Sequence, residues 1–267
     1  MAKGKTTNPL SIKRRKDAAA EQENSHHIYH KNSVCETDSL GHPNPLIPRT
    51  PTEIVVDATD GFIPLWKQNV VLRWRFQDRS MSVFRDVEAA KSYIREIFAE
   101  GILLWGDAVP VKFKEVGVGD VWDFETVFSA ERKCIAPGRC TLASAFFPDG
   151  GRHELRLYPN LFEQTRQEQI ETMAHELGHI FGLRHFFANI TETKWRSEIF
   201  GDHEPFSIMN YGEDSFMTEN DKSDLKRLYE LLWGNSLTEI NGTPVRQVAP
   251  FSSFASNVNP NLAFLSM

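Results

Sequence analysis

The segment from His175 to His185 has the residue types and the spacing of a metal site. It reads His-Glu-Leu-Gly-His-Ile-Phe-Gly-Leu-Arg-His. In a helix, His175 and His179 lie one turn apart on the same face, so two imidazoles can reach a single ion. Imidazole is a favoured ligand of zinc, and a catalytic zinc takes three protein ligands and keeps one position for water. The spacing therefore predicts one catalytic zinc ion as the cofactor.

His185 becomes the third ligand only if the chain turns after the helix. In a continuing helix it would be rotated by about 240° from His179 and displaced along the axis. Gly182 permits a left-handed turn at the carboxyl end of the helix, which would bring His185 back toward the ion. We therefore predict that His175, His179 and His185 bind the metal, with Gly182 supporting the site.

Glu176 follows the first histidine directly, so its carboxylate can approach a metal-bound water without binding the metal. Zinc lowers the pKa of such a water toward neutrality, and a carboxylate can take its proton as the water attacks a carbonyl. This arrangement predicts amide hydrolysis with Glu176 as the general base. Two alternatives stay open: a catalytically inactive zinc-binding interaction module and a non-peptidase zinc hydrolase.

Hydrophobic periodicity predicts the elements that position these residues. Apolar residues alternate over 70–76, which is typical of a half-buried strand, and Asp86 is a candidate N-cap for a helix that reaches about Trp105. A second helix should carry the first two histidines and stop at Gly182. That second helix should run from about 162 to 181, and a third from Thr218 or Glu219 to Leu232. The sequence also predicts strands at 111–116, 121–128, 141–147 and 153–158.

The histidine motif, His-Glu-x-x-His-x-x-Gly-x-x-His, resembles the signature of the metzincin zinc endopeptidases. The second hallmark of that family is a methionine in a tight turn beneath the metal. The segment 207–212, Ser-Ile-Met-Asn-Tyr-Gly, is similar to this turn, with Met209 as the hallmark residue. Further similarities are to the matrixin branch and cover about residues 65–233, including Trp66, Trp105, 72–76, 143–148 and 218–221.

The resemblance implies an α+β fold of two parts. The upper part is a twisted, mostly parallel five-stranded sheet with two helices. The lower part is a small irregular subdomain that contains the methionine turn and a C-terminal helix, and substrate lies between the two parts. The strands read from the sequence agree in number with this fold.

The resemblance also implies how a peptide would bind. An extended peptide would pair with an edge strand near Thr141, Leu142, Ala143, Ser144 and Ala145. Tyr211 would lie near the wall of the pocket for the side chain after the cleaved bond, and Met209 would support the metal site.

His203 is the runner-up for the third metal ligand, because it closely precedes Met209.

Calcium is a second candidate cofactor, at the loop 147–151. This loop offers a single carboxylate, Asp149, and the Pro-Asp-Gly-Gly sequence favours an ordinary turn.

The three cysteines leave at least one thiol unpaired in a monomer. Cys134 and Cys140 flank a Pro-Gly turn. They either close a small disulfide or remain reduced, depending on whether the protein resides in an oxidising or a reducing compartment. Cys35 lies where a matrixin propeptide places a thiol that blocks the zinc. Its neighbours do not match that propeptide motif, so we expect no such block.

Composition divides the chain into three parts. We predict a disordered basic and proline-rich N-terminal tail at 1–51, a zinc metalloprotease catalytic domain at 52–234 and a C-terminal tail at 235–267. The basic run 13–16 is not followed by an apolar segment of the kind that a secretory signal needs, so we predict no cleavable leader. The location stays unknown, and an extracellular one is implied by the family resemblance alone.

The net charge and the hydropathy of the chain limit the classes of partner that it can bind. The net charge of the 267 residues is −6, which gives no global attraction to nucleic acid. No apolar stretch is long enough to span a bilayer. We therefore predict a monomer that acts on protein or peptide substrates, with no nucleic-acid partner and no membrane span.

Overall fold

A mixed α+β architecture surrounds the histidine motif. The structure, a computed structural model, describes residues 54–58, 61–136, 139–185, 197–200, 207–209 and 215–255. The predicted tail at 1–51, including Cys35, lies outside the described residues, as do His203 and Tyr211. None of the helices in the described ranges is long and apolar enough to cross a membrane.

The described ranges contain twelve strands and five α-helices. The strands are β1 (Ile54–Asp57), β2 (Ile63–Trp66), β3 (Val71–Phe76), β4 (Lys112–Glu115), β5 (Phe124–Phe128), β6 (Cys134–Ala136), β7 (Arg139–Cys140), β8 (Ala143–Ser144), β9 (His153–Leu157), β10 (Ser197–Phe200), β11 (Glu239–Ile240) and β12 (Thr243–Val248). The helices are α1 (Asp78–Met81), α2 (Val87–Trp105), α3 (Arg166–Ile180), α4 (Glu219–Trp233) and α5 (Phe251–Ala255), with 3₁₀ turns at Gly106–Ala108 and Pro159–Glu163.

The central sheet has five strands in the order β4-β3-β5-β9-β8. The first four are parallel to one another, and β8 lies antiparallel to β9 at the edge. This confirms the predicted mostly parallel five-stranded sheet. The edge strand is shorter than the sequence suggests, because only Ala143 and Ser144 of the segment 141–147 pair with β9.

One face of the sheet packs against α2 and α3. Trp74 and Phe124 from the sheet meet Phe98 of α2, with ring centroids 5.2 and 6.5 Å apart. The two helices are joined by Trp105, whose Nε1 donates to the carbonyl of Ala174 at 2.8 Å. Burial of large apolar side chains contributes about 1.5–3 kcal/mol each, so this interface is a main source of stability.

The helix boundaries follow from their caps. The side chain of Asp86 accepts a hydrogen bond from the backbone N–H of Ala89 and begins α2, as its sequence position predicts. α3 begins later than predicted, at Arg166, because 159–163 form a 3₁₀ turn and Thr165 makes a capping box with Glu168. α4 begins with a second capping box.

The prediction of a C-terminal tail at 235–267 is wrong for its described part, 235–255. β12 pairs in parallel with β2, and the backbone N–H of Lys67 donates to Val248 at 2.9 Å. In α5, the backbone N–H and hydroxyl of Ser252 donate to the buried carboxylate of Asp123 at 2.7 and 3.0 Å. These non-local hydrogen bonds connect the C-terminal segment to β2 and to Asp123, just before β5, although its local sequence pattern is weak.

Candidate metal centre

The carboxyl end of α3 turns sharply beside the histidines. The backbone N–H of Gly182 donates to His179 and that of Leu183 donates to Gly178, both at 2.9 Å, which is the Schellman pattern. Gly182 has a φ of 95°, and a β-carbon there would lie 2.9 Å from Leu65 Cδ2. Glycine is therefore required both by the backbone conformation and by the space.

Two side chains from distant elements hold this end of the helix. Trp66 donates from Nε1 to the carbonyl of Ile180 at 2.6 Å, and the hydroxyl of Tyr229 donates to the carbonyl of Phe181 at 3.0 Å. The last carbonyls of a helix have no partner within the helix. Their capture by a tryptophan and a tyrosine fixes the position from which His185 follows.

The structure brings the three predicted metal-binding histidines together. Nε2 of His175 lies 3.1 Å from Nε2 of His185, and Nε2 of His179 lies 3.2 Å from each of them. All three side chains are buried. In the part of the chain that the structure describes, they are the one group of three or more His, Cys, Asp or Glu residues whose ligand atoms lie within 4.8 Å of one another.

The backbone fixes the tautomer of two of these rings. Nδ1 of His175 lies 2.8 Å from the carbonyl of Ile208, and Nδ1 of His179 lies 2.7 Å from the carbonyl of Leu183. A carbonyl can only accept, so each Nδ1 carries the proton and each Nε2 presents a lone pair. Such outer hydrogen bonds orient metal-binding imidazoles.

The donor set fits zinc. Three imidazole nitrogens converge on one point, and at least two of them present lone pairs that would repel one another unless a cation lay between them. Zinc–nitrogen bonds of about 2.05 Å at tetrahedral angles separate ligand nitrogens by about 3.3 Å, close to the spacing found here. Three protein ligands also leave a fourth position for water.

The strand β1 supports the second histidine from behind. Val56 forms an antiparallel bridge with Leu183, the residue whose carbonyl accepts from His179. β1 itself pairs with β10, a strand that comes after the histidine motif in the chain. The sequence analysis predicted neither strand, because each is four residues long and pairs with a partner on the other side of the histidine motif in the chain.

Met209 lies directly beneath the metal-binding helix. It is buried, and its sulfur fills the space beside Gly178 of α3. The preceding residue, Ile208, supplies the carbonyl that accepts from His175. The turn at 207–209 therefore contacts the site through both a side chain and a backbone group.

Asp221 anchors this turn, a role that the sequence analysis did not assign. Its Oδ1 accepts from the hydroxyl of Ser207 at 2.5 Å, and its Oδ2 accepts from the backbone N–H of Ile208 at 3.2 Å. Oδ2 also accepts from the backbone N–H of Thr218 at 2.9 Å. One buried carboxylate thus joins the start of α4 to the turn that orients His175. The sequence signal that could have revealed this role was the position of Asp221 in the capping box that begins α4.

Glu176 is buried within α3, next to His175 in the chain. The predicted peptide-binding residues Thr141, Leu142, Ala143, Ser144 and Ala145 are buried as well, and Ala143 and Ser144 form the edge strand β8. Just before this strand, Cys134 and Cys140 form a disulfide across the hairpin of β6 and β7. The alternative of two reduced thiols does not hold in this structure.

The loop considered for calcium uses its carboxylate in a local turn. Oδ1 of Asp149 accepts from the backbone N–H of Gly151 and lies 2.6 Å from Nε2 of His153. Partial burial alone would raise the pKa of Asp149, but its interactions with His153 and Gly151 outweigh that effect and hold the pKa below its usual value. The His153 ring stacks on Phe146 with centroids 4.3 Å apart.

The five-stranded sheet, the buried histidine triad and the methionine beneath it together define a matrixin-like, metzincin-like fold. No family model matches the chain. The human matrixin "Stromelysin-3" is 27% identical over 150 residues, which are 51% of this chain and 31% of that protein. The chain thus spans about a third of the length of this relative.

Two solved structures of the metalloprotease myroilysin also align with the chain. One covers 66% of this chain and 98% of its own, with a TM-score of 0.43 and 12% identity. The other covers 62% of this chain and 85% of its own, with a TM-score of 0.43 and 14% identity.

Proposed function

We propose that this chain is a zinc-dependent endopeptidase that acts as a monomer on protein or peptide substrates. The observation that carries the proposal is the convergence of three buried Nε2 atoms, two of them held as lone-pair donors by backbone carbonyls. The adjacent Glu176 supports hydrolysis, because binding of a metal alone does not require a carboxylate at that position.

His175, His179 and His185 would hold the zinc ion. Zinc bound there would polarise a substrate carbonyl and lower the pKa of a water molecule. Glu176 would take the proton of that water and pass it to the leaving amine. The carbonyls of Ile208 and Leu183 would keep two of the imidazoles oriented throughout.

The substrate would lie along the edge of the central sheet. An extended peptide could pair with the backbone of Thr141–Ala145 in the manner of strand addition, which gives affinity through main-chain hydrogen bonds. Tyr211 would line the pocket for the side chain after the cleaved bond. An extracellular location accords with the disulfide between Cys134 and Cys140, because disulfides persist in oxidising compartments.

The test compares Glu176→Gln with the wild type in zinc content and in cleavage of a denatured protein mixture. We expect unchanged zinc content and a loss of turnover of at least about 100-fold, the scale of a positioned general base. Glu171→Gln is the matched control, since Glu171 is partly exposed on the same helix and hydrogen-bonds to Gln167.

Three results would contradict the proposal. Zinc bound by a wild type that cleaves nothing would indicate an inactive binding module. Hydrolysis of small amides or esters without peptide cleavage would indicate a non-peptidase hydrolase. Full activity in Glu176→Gln at equal zinc content would show that Glu176 is not the general base.

A further inference from the structure

The outer face of the central sheet carries a row of cations at its β4 edge. In β3, Leu72 and Trp74 are buried, so Arg73 between them points to the opposite face. Arg73 lies directly opposite Lys114 in the parallel register of β3 and β4, and Lys112 is two residues before Lys114. Adjacent strands are about 4.8 Å apart and alternate residues about 7 Å apart, so these three cations form one cluster. We call Arg73, Lys112 and Lys114 the cationic face.

Acidic residues do not neutralise this cluster. Among the described residues, none of its three members forms an ion pair, and Nε of Arg73 has no hydrogen-bond partner there. Three acids lie on this side of the sheet. Asp123 accepts from the backbone N–H of Arg73 at 2.7 Å and from Ser252, Glu125 is paired with Arg75 at 2.8 Å, and Glu154 is paired with Arg156. Both lysines are exposed, whereas Arg73 is half-buried and its Nε is fully buried. A concentrated positive charge therefore stands on a chain whose net charge is −6.

Two more arginines lie beside the cationic face and are held by an aromatic ring. The guanidinium groups of Arg75 and Arg152 lie 5.0 and 4.6 Å from the ring centroid of Trp122. Arg152 also lies 4.4 Å from the ring of Phe251 in α5. Cation–π contacts of this kind position both guanidinium groups, and the charge of Arg75 is already paired with Glu125.

Protection of a sheet edge does not explain the arrangement. Lysines on an edge strand such as β4 discourage pairing with another chain. Arg73, however, lies on the inner strand β3, where an edge needs no protection. The cluster therefore calls for a partner that carries negative charge.

We propose that the cationic face binds a sulfated polysaccharide. Clusters of lysine and arginine of this kind attract sulfated glycans and nucleic acids. Single-stranded nucleic acid needs exposed aromatic rings on which bases stack, and the indole of Trp122 is already covered by two guanidinium groups. A duplex needs a wider basic surface than three residues on a negatively charged chain supply.

The position of the cationic face separates this binding from the proposed catalysis. β4 and β8 are at opposite edges of the sheet, four strand spacings or about 19 Å apart. A glycan on the cationic face would leave the peptide-binding edge open. The inference therefore does not depend on the proposed peptidase activity.

The test measures binding of the full chain to immobilised heparin over a series of salt concentrations. Lys112→Gln with Lys114→Gln should weaken binding at least about tenfold and lower the slope of log affinity against log salt by about two, one for each lysine. The matched control is Lys222→Gln with Lys226→Gln, which removes the same charge from lysines already paired with Glu219 and Asp107. It should bind like the wild type.

Several outcomes would overturn the inference. They are equal affinity of the two double variants, no retention of the wild type, equal binding to fully desulfated heparin, and binding of an oligothymidine as tight as that of heparin at the same salt. Unfolding measurements on both variants check that the fold is intact. The lysines of the cationic face are exposed, so no change in stability is expected.

Discussion

Gly178 of α3 and Met209 of the following turn touch so closely that no side chain fits between them. A β-carbon added at Gly178 would overlap the sulfur of Met209 and lie 3.1 Å from its Cε and 3.2 Å from Trp105 Cζ2. The glycine between the two helical histidines thus allows Met209 to pack against the helix that carries them.

Gly178→Ala should destabilise the protein despite the better helix propensity of alanine. Overpacking of a filled core costs about 1–3 kcal/mol, against roughly 1 kcal/mol gained from the helix. Denaturant unfolding would measure the difference. Adding Met209→Ala should relieve the overlap, so the double variant should lose less than the sum of the single ones. Gly119→Ala, where no atom lies within 4 Å of the added carbon, is the control.

His185→Ala should weaken zinc binding by at least about 100-fold, because only two protein ligands would remain. A competition titration with a chelator measures the affinity directly. His153→Ala is the control, since its side chain pairs with Asp149 and is not part of the triad. If His203→Ala abolished binding while His185→Ala had no effect, the proposed ligand set would be wrong.

Asp221→Asn should loosen the turn that orients His175. The amide keeps one acceptor oxygen and places an NH2 group at the other position, so it loses the acceptor either for Ser207 or for Ile208 and Thr218, and we expect a loss of about 2–3 kcal/mol in stability. The zinc affinity should also fall by about 10–100-fold, the usual effect of losing an outer-shell hydrogen bond.

The control for this change is Glu219→Gln in the same helical turn, whose carboxylate pairs with Lys222 at the surface. It should alter stability by less than about 0.5 kcal/mol. A loss of stability in Asp221→Asn with unchanged zinc affinity would mean that Asp221 only caps α4.

Local sequence predicted those parts of the fold that depend on near neighbours. The spacing of His175 and His179, the cap at Asp86 and the alternation in β3 are each determined within a few residues. The second role of Asp221 could not be predicted in this way. Its contact with Ser207 spans 14 positions and depends on how α4 packs against the turn.

The C-terminal segment escaped prediction for the same reason. β12 has the sequence Thr-Pro-Val-Arg-Gln-Val, in which a proline and three polar residues obscure the pattern of a strand. Its partner β2 lies about 180 residues earlier in the chain, with Val245 opposite Ile63. Only the assembled fold brings the two strands together.

A chain that ends at Thr238 should therefore be less stable than one that ends at Ala255. The shorter chain keeps Ser236 and Leu237, which donate to the carbonyl of Leu231 at the end of α4, but it loses β11, β12 and α5. Loss of the Ser252 hydrogen bonds also leaves the buried Asp123 carboxylate with fewer donors, and we expect a difference of more than about 2 kcal/mol in unfolding free energy. Equal stability of the two chains would show that the segment contributes nothing.

Tyr229→Phe should change how stability depends on alkaline pH. The Tyr229 hydroxyl is fully buried, donates to Phe181 and accepts from the backbone N–H of Trp66 at 3.3 Å. Burial disfavours the phenolate and raises the pKa of Tyr229 well above its usual value, an effect that the hydrogen bond from Trp66 only partly offsets. At neutral pH the variant should lose about 1–2 kcal/mol, since a buried hydrogen bond is removed.

Above pH 10 the folded protein keeps a proton that the unfolded chain releases, so the free energy of unfolding should fall as the pH rises. The contribution of Tyr229 approaches about 1.4 kcal/mol per pH unit, because one proton is involved. The variant lacks this contribution, and its deficit relative to the wild type should shrink between pH 10 and 11. Denaturant unfolding at pH 7, 10 and 11 measures both chains. Parallel losses in the two proteins would mean that Tyr229 ionises without unfolding, and that its hydroxyl does not need to stay protonated to hold the end of the metal-binding helix.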